Sequence, residues 1–203
     1  MIKALLFDYG GVVTAGGAGN ELSERLAVAL DISPEEAFGL LGLVWTDYAK
    51  GKISEETLWQ TIEKNYGKAI HPSKWGIWNT WGEHMQPQPE MLALIGRLRS
   101  EGYTVGLLSN VIPNTAADIR AHGGYEIFDF LILSCEVGYA KPDKEIYELA
   151  LAKLPAIPAS EVVFIDDQER CLAPARKLGM QTILAQSPGQ IDRDITQLLE
   201  SSV

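Results

Sequence analysis

Five short, predominantly apolar runs, at residues 2–7, 103–108, 130–133, 162–165 and, more weakly, 181–184, constrain the fold of this chain more than any other feature. A strand with one wet face alternates polar and apolar residues; runs this uniformly apolar suit parallel strands covered on both faces. Helical patterning fills the later gaps. Met91, Leu92, Leu94, Ile95 and Leu98 make one apolar stripe, and Ile146, Leu149, Ala150 and Lys153 recur at helical spacing behind Asp143. Gly102 and Gly179 lie where helices should stop before the next run. The expected class is α/β.

Residues 15–86 break this rhythm. They open with "AGGAGN", carry a capping-box signal at "SPEE", with Ser33 as cap and Pro34 at the first helical position, and show a second helix start near Ser54. The segment closes on "MQPQPE". This predicts a helical insertion hinged by Gly16, Gly17 and Gly19 on one side and Pro87 and Pro89 on the other. Residues 1–14 and 87–203 then form the α/β core, and 15–86 an all-α subdomain. All five tryptophans, at 45, 59, 75, 78 and 81, fall in the insertion. Their first use is a core for the small subdomain; one or two facing a pocket is the other reading.

Apolar residues make up 46% of the 203, enough for a substantial core. With 27 acidic against 17 basic side chains, the net charge of -10 opposes nonspecific binding to nucleic acid or anionic membranes. No run reaches the ~18 apolar residues of a membrane helix, and no signal-peptide pattern opens the chain, which favours a cytoplasmic location. Cys135 and Cys171 lie in no metal-binding spacing and read as reduced thiols in or near the core. Nothing in the sequence decides the oligomeric state.

Polar groups stand at the ends of three runs: Asp8 after the first, Ser109 and Asn110 after the second, Asp166 and Asp167 after the fourth. Ligands of open parallel sheets bind outside the carboxyl ends of the strands, so these groups can converge. Lys141 joins them, held extended by Pro142, with Asp143 placed to cap the following helix. Separately, each is an ordinary turn, cap or surface residue. Together they suit one chemistry: carboxylates gathering a hard cation such as Mg2+, with a lysine and a hydroxyl holding an anion beside it.

In order and spacing, "FDYGG", "LLSN", "KPDKEIY" and "FIDD" resemble the four motifs of the haloacid dehalogenase-like (HAD) hydrolases, and the insertion resembles their helical cap. The resemblance spans nearly the whole chain and implies a Rossmann-like doubly wound parallel sheet with an inserted cap. It implies a phosphatase acting on a small phosphorylated metabolite, sugar phosphates among them, with Asp8 as nucleophile forming an aspartyl phosphate. Mg2+ would be held by Asp8, the Gly10 carbonyl and Asp167, with Asp166 supporting. Lys141 would neutralise the phosphoryl group and nucleophile, Ser109 and Asn110 would donate to the phosphoryl oxygens, and the bare Gly10 and Gly11 would let loop N–H groups approach.

One departure bears on rate. Many phosphatases of this superfamily carry a second aspartate two residues after the nucleophile as general acid and base, where this chain has Gly10. That proton donor is worth about 10²- to 10⁴-fold, so better leaving groups should be favoured. Glu21, Asp47 and His84 of the insertion are candidates to replace it, with nothing to select among them. Cys171 stands where relatives often have asparagine. Two other functions stay open: a noncatalytic phosphate- or partner-binding protein, and a metal-independent haloacid dehalogenase, against which the retained Asp166 and Asp167 argue.

Overall fold

The computed structural model describes residues 1–16, 21–78 and 85–201. Five strands, β1 (Ala4–Phe7), β2 (Thr104–Ser109), β3 (Phe130–Leu133), β4 (Val162–Asp166) and β5 (Gln181–Leu184), form one sheet in the order β3-β2-β1-β4-β5, every neighbouring pair parallel. Side chains of a strand alternate between faces, and the two faces here are both dry. Leu5, Phe7, Val105, Leu107, Val163 and Ile165 enter one cluster; Ala4, Leu6, Leu108, Val162 and Phe164 enter the other. That double burial is why the runs lack polar alternation.

Helices α5 (Pro89–Ser100), α6 (Pro113–Ala121) and α10 (Pro188–Glu200) cover the first face through Met91, Leu94, Ile95, Leu98, Ala116, Ile119, Ile191 and Ile195. After the short α7 (Ser134–Val137), helices α8 (Lys144–Ala152) and α9 (Glu169–Lys177) cover the second through Ile146, Tyr147, Ala150, Cys171, Leu172 and Ala175. The sheet is a Rossmann-like, doubly wound α/β layer. Its strand order reverses direction at β1, and Asp8 lies at that strand's carboxyl end, between the ends of β2 and β4.

Between β1 and α5 the chain builds α1 (Glu21–Leu30), α2 (Pro34–Gly42), α3 (Trp45–Ala49) and α4 (Glu55–Tyr66). Ser33 caps α2 by accepting from the Glu36 N–H at 3.1 Å, and Ser54 caps α4 through the Thr57 N–H. Caps of this kind contribute about 1 kcal/mol each. These helices pack around Leu26, Leu40, Leu41, Leu58, Trp59 and Ile62, a cluster separate from those of the sheet except for Ile112, which enters it from the turn before α6. Trp75 stacks on Trp59 with ring centroids 6.1 Å apart, and Trp45 packs against the same cluster. Of the other tryptophans, Trp81 and the Trp78 side chain lie outside the described residues, as do Gly17 and Gly19. An isolated antiparallel bridge joins Thr14 to Pro87, where the chain leaves and rejoins the sheet layer.

Candidate active site

Phe7 is in register with Leu107 on one side and Ile165 on the other, which brings Asp8 level with the polar ends of β2 and β4. The Asp8 N–H continues the ladder to the Ile165 carbonyl at 2.9 Å. Its carboxylate is nearly buried. Oδ1 accepts from the Tyr9 N–H at 2.7 Å and lies 2.9 Å from the Lys141 ammonium. Among the described residues no hydrogen bond reaches Oδ2, which leaves that oxygen uncommitted.

Lys141 arrives from the turn ahead of α8. Its ammonium sits between Asp8 and Asp166, donating to Asp166 Oδ2 at 2.7 Å, and is 2% exposed. Asp166 Oδ1 accepts from the Gln168 N–H at 2.8 Å. Burial disfavours a charged lysine, but Asp8 and Asp166 together outweigh it and hold the Lys141 pKa above its usual value. Burial is also the main reason that Asp8 is pushed above the ordinary carboxylate range, Lys141 opposing and Asp166 adding to the shift. Asp167 moves the same way, through burial first and the Asp8 charge second. Three carboxylates share one ammonium, and the imbalance favours a cation.

A divalent ion fits the groups present. One oxygen from each of Asp8, Asp166 and Asp167 lies within 4.8 Å of the others. Asp167 Oδ1 is buried and has no hydrogen-bond partner among the described residues. A buried carboxylate oxygen left unpaired is costly, and an all-oxygen donor set suits a hard cation such as Mg2+. Asp166 is committed to Lys141 and Gln168, which leaves Asp167 as the freer ligand.

The remaining predicted residues divide. Ser109 is buried at the end of β2, and among the described residues its hydroxyl has no hydrogen-bond partner, so it can donate to an anion. Asn110, expected to donate to a phosphoryl group, also brackets Lys141: Nδ2 donates to the Lys141 carbonyl and Oδ1 accepts from the Lys141 N–H, both at 2.8 Å, which leaves one of the two Nδ2 hydrogens. Gly11 differs from expectation. Its N–H donates to the Gly16 carbonyl at 3.1 Å, so it does not open toward a ligand. What requires glycine there is a φ of +75° and the Asp167 carboxylate, 2.6 Å from where a Cβ would sit. Gly10 has φ -71° and ψ 128°, a conformation any residue adopts.

Asp143 holds the expected position before α8 but makes no side-chain cap; its Oδ2 accepts from the Ala140 N–H and meets Lys50 of the insertion. The Lys141–Pro142 peptide is cis rather than the plainly extended step expected. Asp47 is exposed; His84 and the Glu21 side chain lie outside the described residues. Sequence reading missed the bracket by Asn110 and the contact of Lys50 with Asp143, because both link residues far apart in the chain.

Residues 2–179 match the haloacid dehalogenase-like hydrolase family. The chain is 30% identical to the mouse "bifunctional epoxide hydrolase 2" over 97% of its own length, but spans only 39% of that protein. A Bacteroides thetaiotaomicron protein named "D-ribitol-5-phosphate phosphatase" is 25% identical over 99% of this chain and 100% of its own. A solved HAD family enzyme from the same organism, in complex with magnesium and inorganic phosphate, superposes with a TM-score of 0.73 at 26% identity, covering 92% of this chain and 95% of that one. With its doubly wound sheet, its helical insertion after β1 and its match over residues 2–179, the chain belongs to the haloacid dehalogenase-like hydrolases.

Proposed function

We propose that the chain is a Mg2+-dependent phosphatase that hydrolyses a small phosphorylated metabolite of the sugar-phosphate type through an aspartyl phosphate on Asp8. The observation that carries this is the division of labour at the Asp8 carboxylate: Oδ1 is pinned by Tyr9 and Lys141, and Oδ2 is left free at the end of a central strand. The likeness to the D-ribitol-5-phosphate phosphatase and to the magnesium and phosphate complex supports the substrate class and the metal.

In the first half of the reaction Asp8 Oδ2 forms a bond to phosphorus while the bond to the substrate's ester oxygen breaks, the oxygen leaving with its electron pair. Repulsion between a carboxylate and a phosphoryl group at close range is on the order of 4 kcal/mol at an effective dielectric near 20. Lys141 offsets it from the nucleophile's flank, and the Ser109 hydroxyl donates to a phosphoryl oxygen. Bound at Asp8, Asp167 and the Gly10 carbonyl, with Asp166 behind, Mg2+ would neutralise charge on the transferring group. In the second half water attacks the aspartyl phosphate at phosphorus, the bond from phosphorus to Asp8 Oδ2 breaks to restore the carboxylate, and inorganic phosphate leaves; the proton shed by the water balances the one the departing ester oxygen takes from solvent.

Gly10 supplies no proton to the leaving oxygen, so good leaving groups should react fastest. Metal-independent dehalogenation leaves the orphaned Asp167 oxygen without a use, and that weighs against it. The test is a panel of sugar, nucleotide, aryl and acyl phosphates assayed with Mg2+ and with chelator. Metal-dependent phosphate release from at least one class supports the reading; no release from any class contradicts it.

A further inference from the structure

Residues 48–51 of the insertion are seated on the core by contacts of different kinds. The Tyr48 hydroxyl donates to Asn114 Oδ1, and Asn114 Nδ2 donates to Glu55 at 2.9 Å. The fully buried Ser134 hydroxyl donates to the Ala49 carbonyl at 2.6 Å and accepts from the Val111 N–H at 2.9 Å. Gly51, at φ +64°, lies so close to the Cys135 carbonyl that a Cβ would collide with it. Lys50 therefore stands between two neighbours whose backbones are locked against the core.

Its ammonium meets Asp143 Oδ2 at 2.5 Å, with the Lys50 side chain only 15% exposed. An ordinary surface ion pair loses much of its worth to the entropy of holding two long side chains in place. Here the Lys50 side chain is already largely enclosed and rises from a fixed backbone, so less freedom is lost in holding it. Burial opposes a charged Asp143, but hydrogen bonds from Lys50 and the Ala140 N–H, with the charges of Lys50 and Lys52, hold its pKa below the usual value.

The other face of this contact is the turn that carries Lys141. Asp143 Oδ2 also accepts from the Ala140 N–H at 3.1 Å, closing the turn over residues 140–143, while Asn110 grips the Lys141 main chain from the end of β2. Lys141 reaches Asp8 and Asp166 only from this turn. We propose that Lys50 is a positioning residue: by pairing with Asp143 it braces the 140–143 turn, so that Lys141 is set between Asp8 and Asp166 when the cap segment 48–51 is seated on the core. The kinetic part of this rests on the phosphatase reading; the structural part does not.

The experiment compares wild type with Lys50→Ala, Lys50→Arg and Lys144→Ala, the last removing an exposed pair with Glu148 one residue beyond Asp143. Mg2+-dependent hydrolysis of p-nitrophenyl phosphate and amide hydrogen exchange of residues 139–143 are measured on each. Lys50→Ala is expected to lose about tenfold in kcat with KM changed less than about twofold, and Lys50→Arg to recover most of it. Exchange at the Ala140 and Lys141 amides should quicken in Lys50→Ala alone. An unchanged kcat in Lys50→Ala, an arginine variant no better than alanine, or exchange quickened across the whole sheet would overturn the proposal. If wild type itself releases no phosphate, the phosphatase reading fails. Exchange then decides alone: local quickening supports the brace, and no change at residues 140–141 rejects it.

Discussion

Asn110 holds Lys141 by both edges of its carboxamide, donating to the lysine's carbonyl and accepting from its N–H at 2.8 Å each. The residue after β2 thus places the lysine that serves Asp8. In Asn110→Ala both main-chain groups lose their partners, which costs about 1–3 kcal/mol of stability if they stay buried. A displaced ammonium should lower kcat on an aryl phosphate by up to about 100-fold, with a smaller change in KM. Steady-state kinetics and a denaturant titration on one preparation check both.

Gly11 and Asp167 are packed so closely that any side chain at Gly11 would meet the Asp167 carboxylate. Gly11→Ala forces a Cβ into the Asp167 carboxylate at a φ of +75°. If Asp167 is a metal ligand, Mg2+ affinity should fall by about 10- to 100-fold, as when support of a metal ligand is lost. Gly67→Ala is the control: it shares the left-handed conformation, φ +78°, with nothing within 4 Å. Titrating Mg2+ against thermal stability separates displacement of Asp167 from backbone strain, because only the first weakens the metal.

The contrast between these glycines shows what sequence could and could not convey. The apolar runs located the strands to within two residues at each end, because burial on both faces leaves a local trace in composition. Ser33 and Ser54 were legible because a cap and its partner lie three residues apart. Asp8, Ser109, Lys141, Asp166 and Asp167 could be named from motifs, but their roles depend on who occupies whom. That the Asn110 carboxamide brackets the main chain of Lys141 follows from long-range folding of the chain, and neither it nor the use of the Gly11 N–H on Gly16 has a recognisable motif. The same holds for Lys50, which pairs with a residue 93 positions away.

Protons and Mg2+ should compete at the carboxylate cluster. Asp8 and Asp167 have pKa values raised by burial in the folded protein, so the fold binds their protons more tightly than the unfolded chain does. Their contribution to metal-free stability is greatest below the unfolded value of 3.8 and declines as pH rises through the raised folded values. A bound cation reverses that decline. The Mg2+-induced rise in Tm should therefore be larger at about pH 7 than at about pH 5, and Asp167→Asn should flatten the difference. Calorimetry at the two pH values, with Mg2+ and with chelator, checks it.

Gly10 is free to become aspartate. Its φ of -71° and ψ of 128° suit any side chain, and it follows Asp8 by two residues. Gly10→Asp should supply a proton to the leaving oxygen and raise turnover of alkyl phosphates toward the about 10²- to 10⁴-fold worth of general acid catalysis. Acyl phosphates, whose leaving groups need little help, should gain far less. The ratio of the two rates in wild type and variant is the measurement.

The central claim is that Asp8 attacks phosphorus. Its most direct test is Mg2+-dependent hydrolysis of p-nitrophenyl phosphate by wild type and Asp8→Asn, with the short-lived phosphoenzyme trapped and mapped. Asparagine cannot form the acyl phosphate, so activity should fall by at least about 10³-fold, and label should appear on Asp8 in the wild type only. Equal rates from the two proteins, or label on any residue other than Asp8, would contradict the account.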